Sequence, residues 1–288
     1  MPRPEDEFDD FDRSRRRDDD DFDRPPPRRS GSKVLPILLG VGLVVVLCGA
    51  CGIAGLFYST TRIRDAANRM KSNNNLKQIG LGIHNYNDAT NELPGNSYGA
   101  DGKPLLSWRV HILPYVEYDN LYKQFKLDEP WDSPNNMRLL SQMPVVYLSP
   151  TEPRGSTNKT YYRGFASPGA IFEKRANRNP AGAVIGGPAF EFKKKDAFNL
   201  GALKDLPSET LLLVEAGDPV EWTKPDDLDA SPGKPFPKLG GIPWKSNRVQ
   251  VLMADGTTRQ IRPDLPETTL RALVTHSGGE TIPPGWDE

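Results

Sequence analysis

The sequence predicts an α+β fold: a long N-terminal helix, transmembrane in its first part, packed on a mostly antiparallel β-sheet domain with short helices and long loops. Three observations predict it. The stretch Val34–Phe57 holds no charged residue, and roughly 20 apolar residues in helix cross a bilayer core. Beyond it Leu76, Ile79, Ile83 and Tyr86 recur at helical spacing on one face. Near the C-terminal end RVQVLMADGTTRQI alternates on either side of Asp255-Gly256, a hairpin signal.

Taken in order, residues 1–33 read as a disordered, charged cytoplasmic tail. Their eleven acids and nine bases, three consecutive prolines and isolated Phe8, Phe11 and Phe22 bury too little to offset chain entropy. Residues 34–58 follow as the transmembrane helix. Seven bases precede it from Arg15 to Lys33 and five follow it from Arg62 to Lys77, a bias that puts the N-terminus inside. The expected placement is a single pass through the inner membrane, the tail cytoplasmic and the C-terminal domain extracytoplasmic. The apolar run exceeds a usual signal-peptide core and no small-x-small site ends it, so the segment reads as an uncleaved signal anchor.

Residues 59–92 are predicted to continue the helix outside the membrane to about Ala89, with a break at Ser72–Asn75, until Pro94 and Gly95 stop it. The domain then runs over 93–288. Within 105–126 two short helices break before Pro114. Ser133 or Asn135 caps a helix through Met137, Leu139 and Leu140. The apolar run from Pro144 to Pro150 reads as a proline-bounded strand, and further strands are expected at Thr160–Gly164, Ala189–Lys193 and Thr210–Glu215. The proline-rich region 217–247 reads as an irregular crossover. Val249, Val251 and Met253 point inward from the hairpin, and Pro266–Thr275 forms a last amphipathic helix.

Composition excludes several function classes. The 288 residues carry a net charge of -1, too little positive charge for nucleic-acid binding, which draws on phosphate neutralisation. The only cysteines, Cys48 and Cys51, lie inside the apolar run, so no disulfide staples the domain and the C-x-x-C spacing lacks a βαβ context. Three histidines and no cysteine outside that run argue against a dedicated zinc site.

Residues with chemical potential have simpler readings. His84 is a lone helical histidine. Asp218, Glu221, Asp226, Asp227 and Asp229 cluster after TLLLVE, yet lack the array of a calcium loop. Asp255 is accounted for by its turn. His276-Ser277 has no nucleophile elbow, and AGAVIGG at 181–187 has neither a P-loop lysine nor a dinucleotide spacing. No catalytic, cofactor-binding or metal residue is assigned, no cofactor is expected, and an enzyme is not.

SNNNLKQIGLGIHNYND at 72–88 precedes SWRVHILPYVEYDNLYKQF at 107–125. LKDLPSETLLLVEA at 203–216, EWTKPDDL at 221–228, VQVLMADGTTRQI and LRALVTHSGGE follow. This ordered series, over about residues 60–284, resembles the large planctomycete family of pseudopilin-like proteins with a domain of unknown function. Its members resemble type II secretion minor pseudopilins of the G/H kind. The resemblance implies a membrane-anchored, pilin-like helix and a sheet domain on the outer side. Two places depart from the family pattern. Gly31-Ser32-Lys33-Val34-Leu35-Pro36 stands where a prepilin junction with an early glutamate would be, and Ser149-Pro150 where Cys-Pro is frequent.

The expected function is a structural or interaction role as a single-pass, pseudopilin-like envelope protein. Its expected partners are the lipid bilayer and secretion or pilin-like proteins, not nucleic acid. The alternative is a membrane-tethered extracytoplasmic binding module for a small molecule or glycan, with Trp222, Trp244 and Trp286 as the aromatics of its pocket.

Overall fold

The computed structural model describes residues 34–99, 101–174, 198–240 and 248–287; within 34–62 the side chains described are those of 40 and 42–46. The first element is helix α1, Val34–Thr90. The chain divides between Phe57 and Tyr58 into two units, and the sheet and everything below belong to the second, Tyr58–Glu288.

The transmembrane part of the expected fold is corrected: among the described residues no helix is long and apolar enough to cross a membrane. The described apolar side chains near the start of α1 are the four of Leu43–Val46. From Ile63 onward Arg64, Asp65, Arg69, Lys71 and Lys77 interrupt every apolar window, whereas a span needs roughly 20 apolar residues. The α+β class itself stands, with a four-stranded antiparallel sheet. The charged tail and the candidate strand at 189–193 lie outside the described residues.

The expected break at Ser72–Asn75 is absent; α1 is helical throughout it. Leu76, Ile79 and Ile83 are fully buried, with Tyr86 nearly so, and burying each such side chain is worth about 1.5–3 kcal/mol. Two glycines let this face lie close to its neighbours. A Cβ on Gly80 would sit 3.0 Å from Leu252 Cδ1, and one on Gly82 only 2.5 Å from Val116 Cγ1. Asn91 ends the helix in the left-handed conformation, φ 56°, as C-terminal residues often do.

Strand β1 is Lys159–Arg163, β2 Leu211–Glu221, β3 Val249–Met253 and β4 Thr258–Ile261. They pair in the order β1-β2-β3-β4, all antiparallel. β2 runs farther than expected, because Lys159 and Thr160 pair with Glu221 and Val220 beyond an irregularity in register. The β3–β4 hairpin forms as the sequence predicts. Gly256 takes φ 84° at its turn, and Asp255 Oδ1 accepts from Thr257 N at 2.8 Å.

One face of the sheet, with Tyr162, Leu213 and Leu252, shares a core with α1 and the segment 106–147. That segment holds helices α2 (Trp108–His111), α3 (Asp119–Tyr122) and α4 (Pro134–Met137, capped by Ser133). The other face, with Val214, Val249, Val251, Met253 and Ile261, packs on Leu270, Leu273 and Val274 of helix α5, Glu267–Val274. The expected strand at Pro144–Pro150 is instead a 3-10 turn over Val145–Tyr147. Turning there buries both Val146 and Tyr147 in the first core and lets the Tyr147 hydroxyl donate to Arg109 O at 2.8 Å. An extended chain would point those neighbours to opposite faces.

Candidate functional site

The run Ser72-Asn73-Asn74-Asn75 docks α1 onto the polar end of the sheet. Ser72 Oγ donates to Glu215 Oε1 and lies 2.8 Å from the Tyr162 hydroxyl. Asn75 Nδ2 donates to Leu148 O at 3.0 Å, and Asn73 Oδ1 accepts from Thr258 Oγ1 at 3.1 Å. Glu215 is fully buried, and its Oε2 accepts from Gln250 N at 3.1 Å. Burial, and then the Glu215 charge, hold the Tyr162 phenol well above its ordinary pKa.

A second buried knot fixes the same tyrosine from its backbone. Arg109 Nε and Nη2 donate to Tyr162 O at 3.0 and 2.6 Å, and Nη1 donates to Ser107 Oγ at 2.7 Å. Arg109 Nη2 lies 3.6 Å from Asp227 Oδ1, and both side chains are fully shielded from solvent. Asp227 also accepts from Asn96 Nδ2, Trp108 Nε1 and Gly164 N at 2.7, 3.2 and 3.2 Å. Burial lowers the Arg109 pKa to about 10 against the opposing pull of Asp227. Every oxygen of this pair is engaged by the protein, so the knot is a fastening with no vacant position for chemistry.

Beside the Glu215 network a groove of about 400 Å³ opens between α1 and the β3–β4 hairpin. Its wall is Ala66, Arg69, Met70, Asn73, Asn74 and Lys77 of α1, and its floor is Gln250 and Gln260. The wall residues fall three and four apart and therefore share one helix face. The floor residues stand opposite each other in the hairpin register. Gln250 is 2% exposed, and among the described residues its Oε1 has no hydrogen-bond partner. Such a carbonyl oxygen costs about 1–3 kcal/mol of desolvation. Among the described residues its lining contains two cations and no anion. The arrangement can bind; it holds no nucleophile–base pair.

Residues 61–236 match the family described as a protein of unknown function, DUF1559. The chain belongs to that family. No curated protein and no solved structure matches it. The match takes in the α1 wall of the groove and stops short of β3 and β4.

In this DUF1559 chain the residues singled out from sequence do not converge. Trp222 is fully buried in the first core, where Nε1 donates to Leu140 O at 2.9 Å. Trp286 belongs to the second core, and Trp244 lies outside the described residues. The expected aromatic pocket is therefore not assembled by Trp222 and Trp286, which are spent on packing in separate cores.

The acidic cluster is likewise dispersed. Asp226 pairs with Arg163 and Lys224, at 2.6 and 2.9 Å, Asp229 with Lys234, and Glu221 with Lys159 at 4.0 Å, while Asp227 is sealed against Arg109. His84 lies under the hairpin turn, where a Cβ on Gly256 would be 3.5 Å from its Nε2. The 276–279 stretch is tied down by backbone: Asp205 accepts from Gly278 N and Gly279 N at 2.8 and 3.0 Å.

Sequence reasoning passed over Gln250, Gln260, Arg69 and Lys77. A signal did exist, since Gln250 is the single polar residue inside VQVLM. Period-2 alternation turns it away from the valine face, but only the fold puts α1 over that other face.

Proposed function

We propose that this chain has a structural or interaction role and engages a partner through the groove between α1 and the β3–β4 hairpin. The observation that carries the reading is a groove whose described lining sets Arg69 and Lys77 over Gln250 and Gln260 and holds no carboxylate. Two cations without a carboxylate, set beside amide side chains, offer a partner complementary charge and hydrogen bonds. The reading assigns no reaction to the chain.

Its narrower form is a pseudopilin-like envelope protein whose partners are secretion or pilin-like proteins. The ordered motifs from Ser72 to Glu280 support that form, as does a long N-terminal helix laid across an antiparallel sheet.

A photo-crosslinking residue at Asn74, introduced into the full chain in its own cells, tests the reading. The expected result is a discrete adduct that Lys77→Glu abolishes and that the same crosslinker at exposed Met137 does not give. No adduct from Asn74, or the same adducts from both positions, overturns it.

A further inference from the structure

We infer that the groove takes an extended acidic peptide segment, its carboxylates on Arg69 and Lys77 and its backbone amides on the Asn and Gln side chains. The inference rests on the interaction reading above and names the chemistry of the partner at that site.

Charge gives the sign. Arg69 and Lys77 line the groove, and among the described residues neither pairs with a carboxylate. Spacing gives the form. Eight residues along a helix separate the two cations by about 12 Å, close to the roughly 13 Å between carboxylates four apart on an extended chain.

The amides give the class. Asn73, Asn74, Gln250 and Gln260 are half of the eight lining residues, and each primary amide offers the donor and acceptor pair that a peptide unit presents in return. A peptide backbone supplies donors and acceptors for these amides within the same stretch that carries the acids, which a lone carboxylate or phosphate does not. An acidic sugar has hydroxyl donors too, but among the described residues no aromatic ring lines the groove for its faces to stack on.

The experiment is fluorescence anisotropy with the full chain and fluorescein-labelled Glu-Thr-Val-Thr-Glu amide, against the same peptide carrying Gln for both Glu. The expected result is saturable, salt-sensitive binding of the acidic peptide and at least tenfold weaker binding of the neutral one. Lys77→Glu and Gln250→Leu are each expected to weaken the acidic peptide at least tenfold, with the fold checked by circular dichroism.

Equal affinity for both peptides, no saturable binding, or indifference to both substitutions overturns the inference. Glucuronate binding without peptide binding overturns it as well, in favour of an acidic sugar. Failure here is separable from failure of the interaction reading. An Asn74 adduct that excess acidic peptide does not displace keeps the groove as an interaction site and removes only the peptide.

Discussion

Gln250 donates its backbone N–H to Glu215 Oε2 at 3.1 Å, while Ser72 donates its hydroxyl to the other oxygen of the same carboxylate. One buried acid thus ties β3 to β2 and both to α1, at the point where the sheet's α1-facing surface turns from apolar to polar. The groove's floor and wall meet over this joint. Glu215→Ala leaves Ser72 and the Gln250 N–H without their shared acceptor, a loss of about 3 kcal/mol or more in stability. Glu215→Gln keeps the shape and one acceptor, and is expected to cost less than half as much. Denaturant midpoints of the two variants, read by circular dichroism, check the ranking.

The Arg109–Asp227 pair behaves as a unit. Asp227→Ala strands a buried guanidinium and is expected to cost about 3–5 kcal/mol, whereas replacing both partners by apolar residues of similar volume recovers much of that. A double-mutant cycle with Asp227→Leu and Arg109→Met measures the coupling.

Alkaline stability follows from the buried phenols. Burial holds Tyr147 and Tyr162 well above their ordinary value, with Arg109 opposing it at Tyr147 and Glu215 adding to it at Tyr162. Their contribution is fully present below the unfolded value of about 10 and is lost as pH rises toward their folded values. Arg109 works the other way: its folded pKa of about 10 lies below the unfolded one, so between them it gains stability with rising pH. Among these three groups the two phenols outweigh the guanidinium, a loss of about 1.4 kcal/mol per pH unit above about pH 10. Burial raises Tyr98, Tyr122 and Tyr161 in the same direction. Urea midpoints taken across that range, with tyrosinate absorbance alongside, show whether unfolding and phenol ionisation coincide.

The parts of this fold legible in the sequence were those whose local pattern and tertiary role agree. Leu76, Ile79, Ile83 and Tyr86 mark a helix face by spacing and bury it as marked. Asp255-Gly256 calls for a turn that Gly256 makes with φ 84°. The stretch 144–150 was ambiguous because a short apolar run bounded by prolines fits a strand or a turn equally well. Only the demand to bury Val146 and Tyr147 together decides it. β2 could not be read past Glu215, since the pairing of Lys159 and Thr160 with Glu221 and Val220 is made by a distant segment.

The groove was illegible for a related reason. Arg69 and Lys77 read as flanking charges and Gln250 as the outward member of an alternating strand. Their meeting depends on α1 crossing the face that alternation alone assigns to solvent.

The most direct test of the groove as a binding surface is the stability of Gln250→Leu. If the amide is kept for a partner, removing its bare oxygen raises stability by about 1 kcal/mol in the isolated chain, and the same substitution abolishes the Asn74 crosslink. A variant that loses stability by a similar amount, or that keeps the crosslink, makes Gln250 a structural residue and contradicts the account.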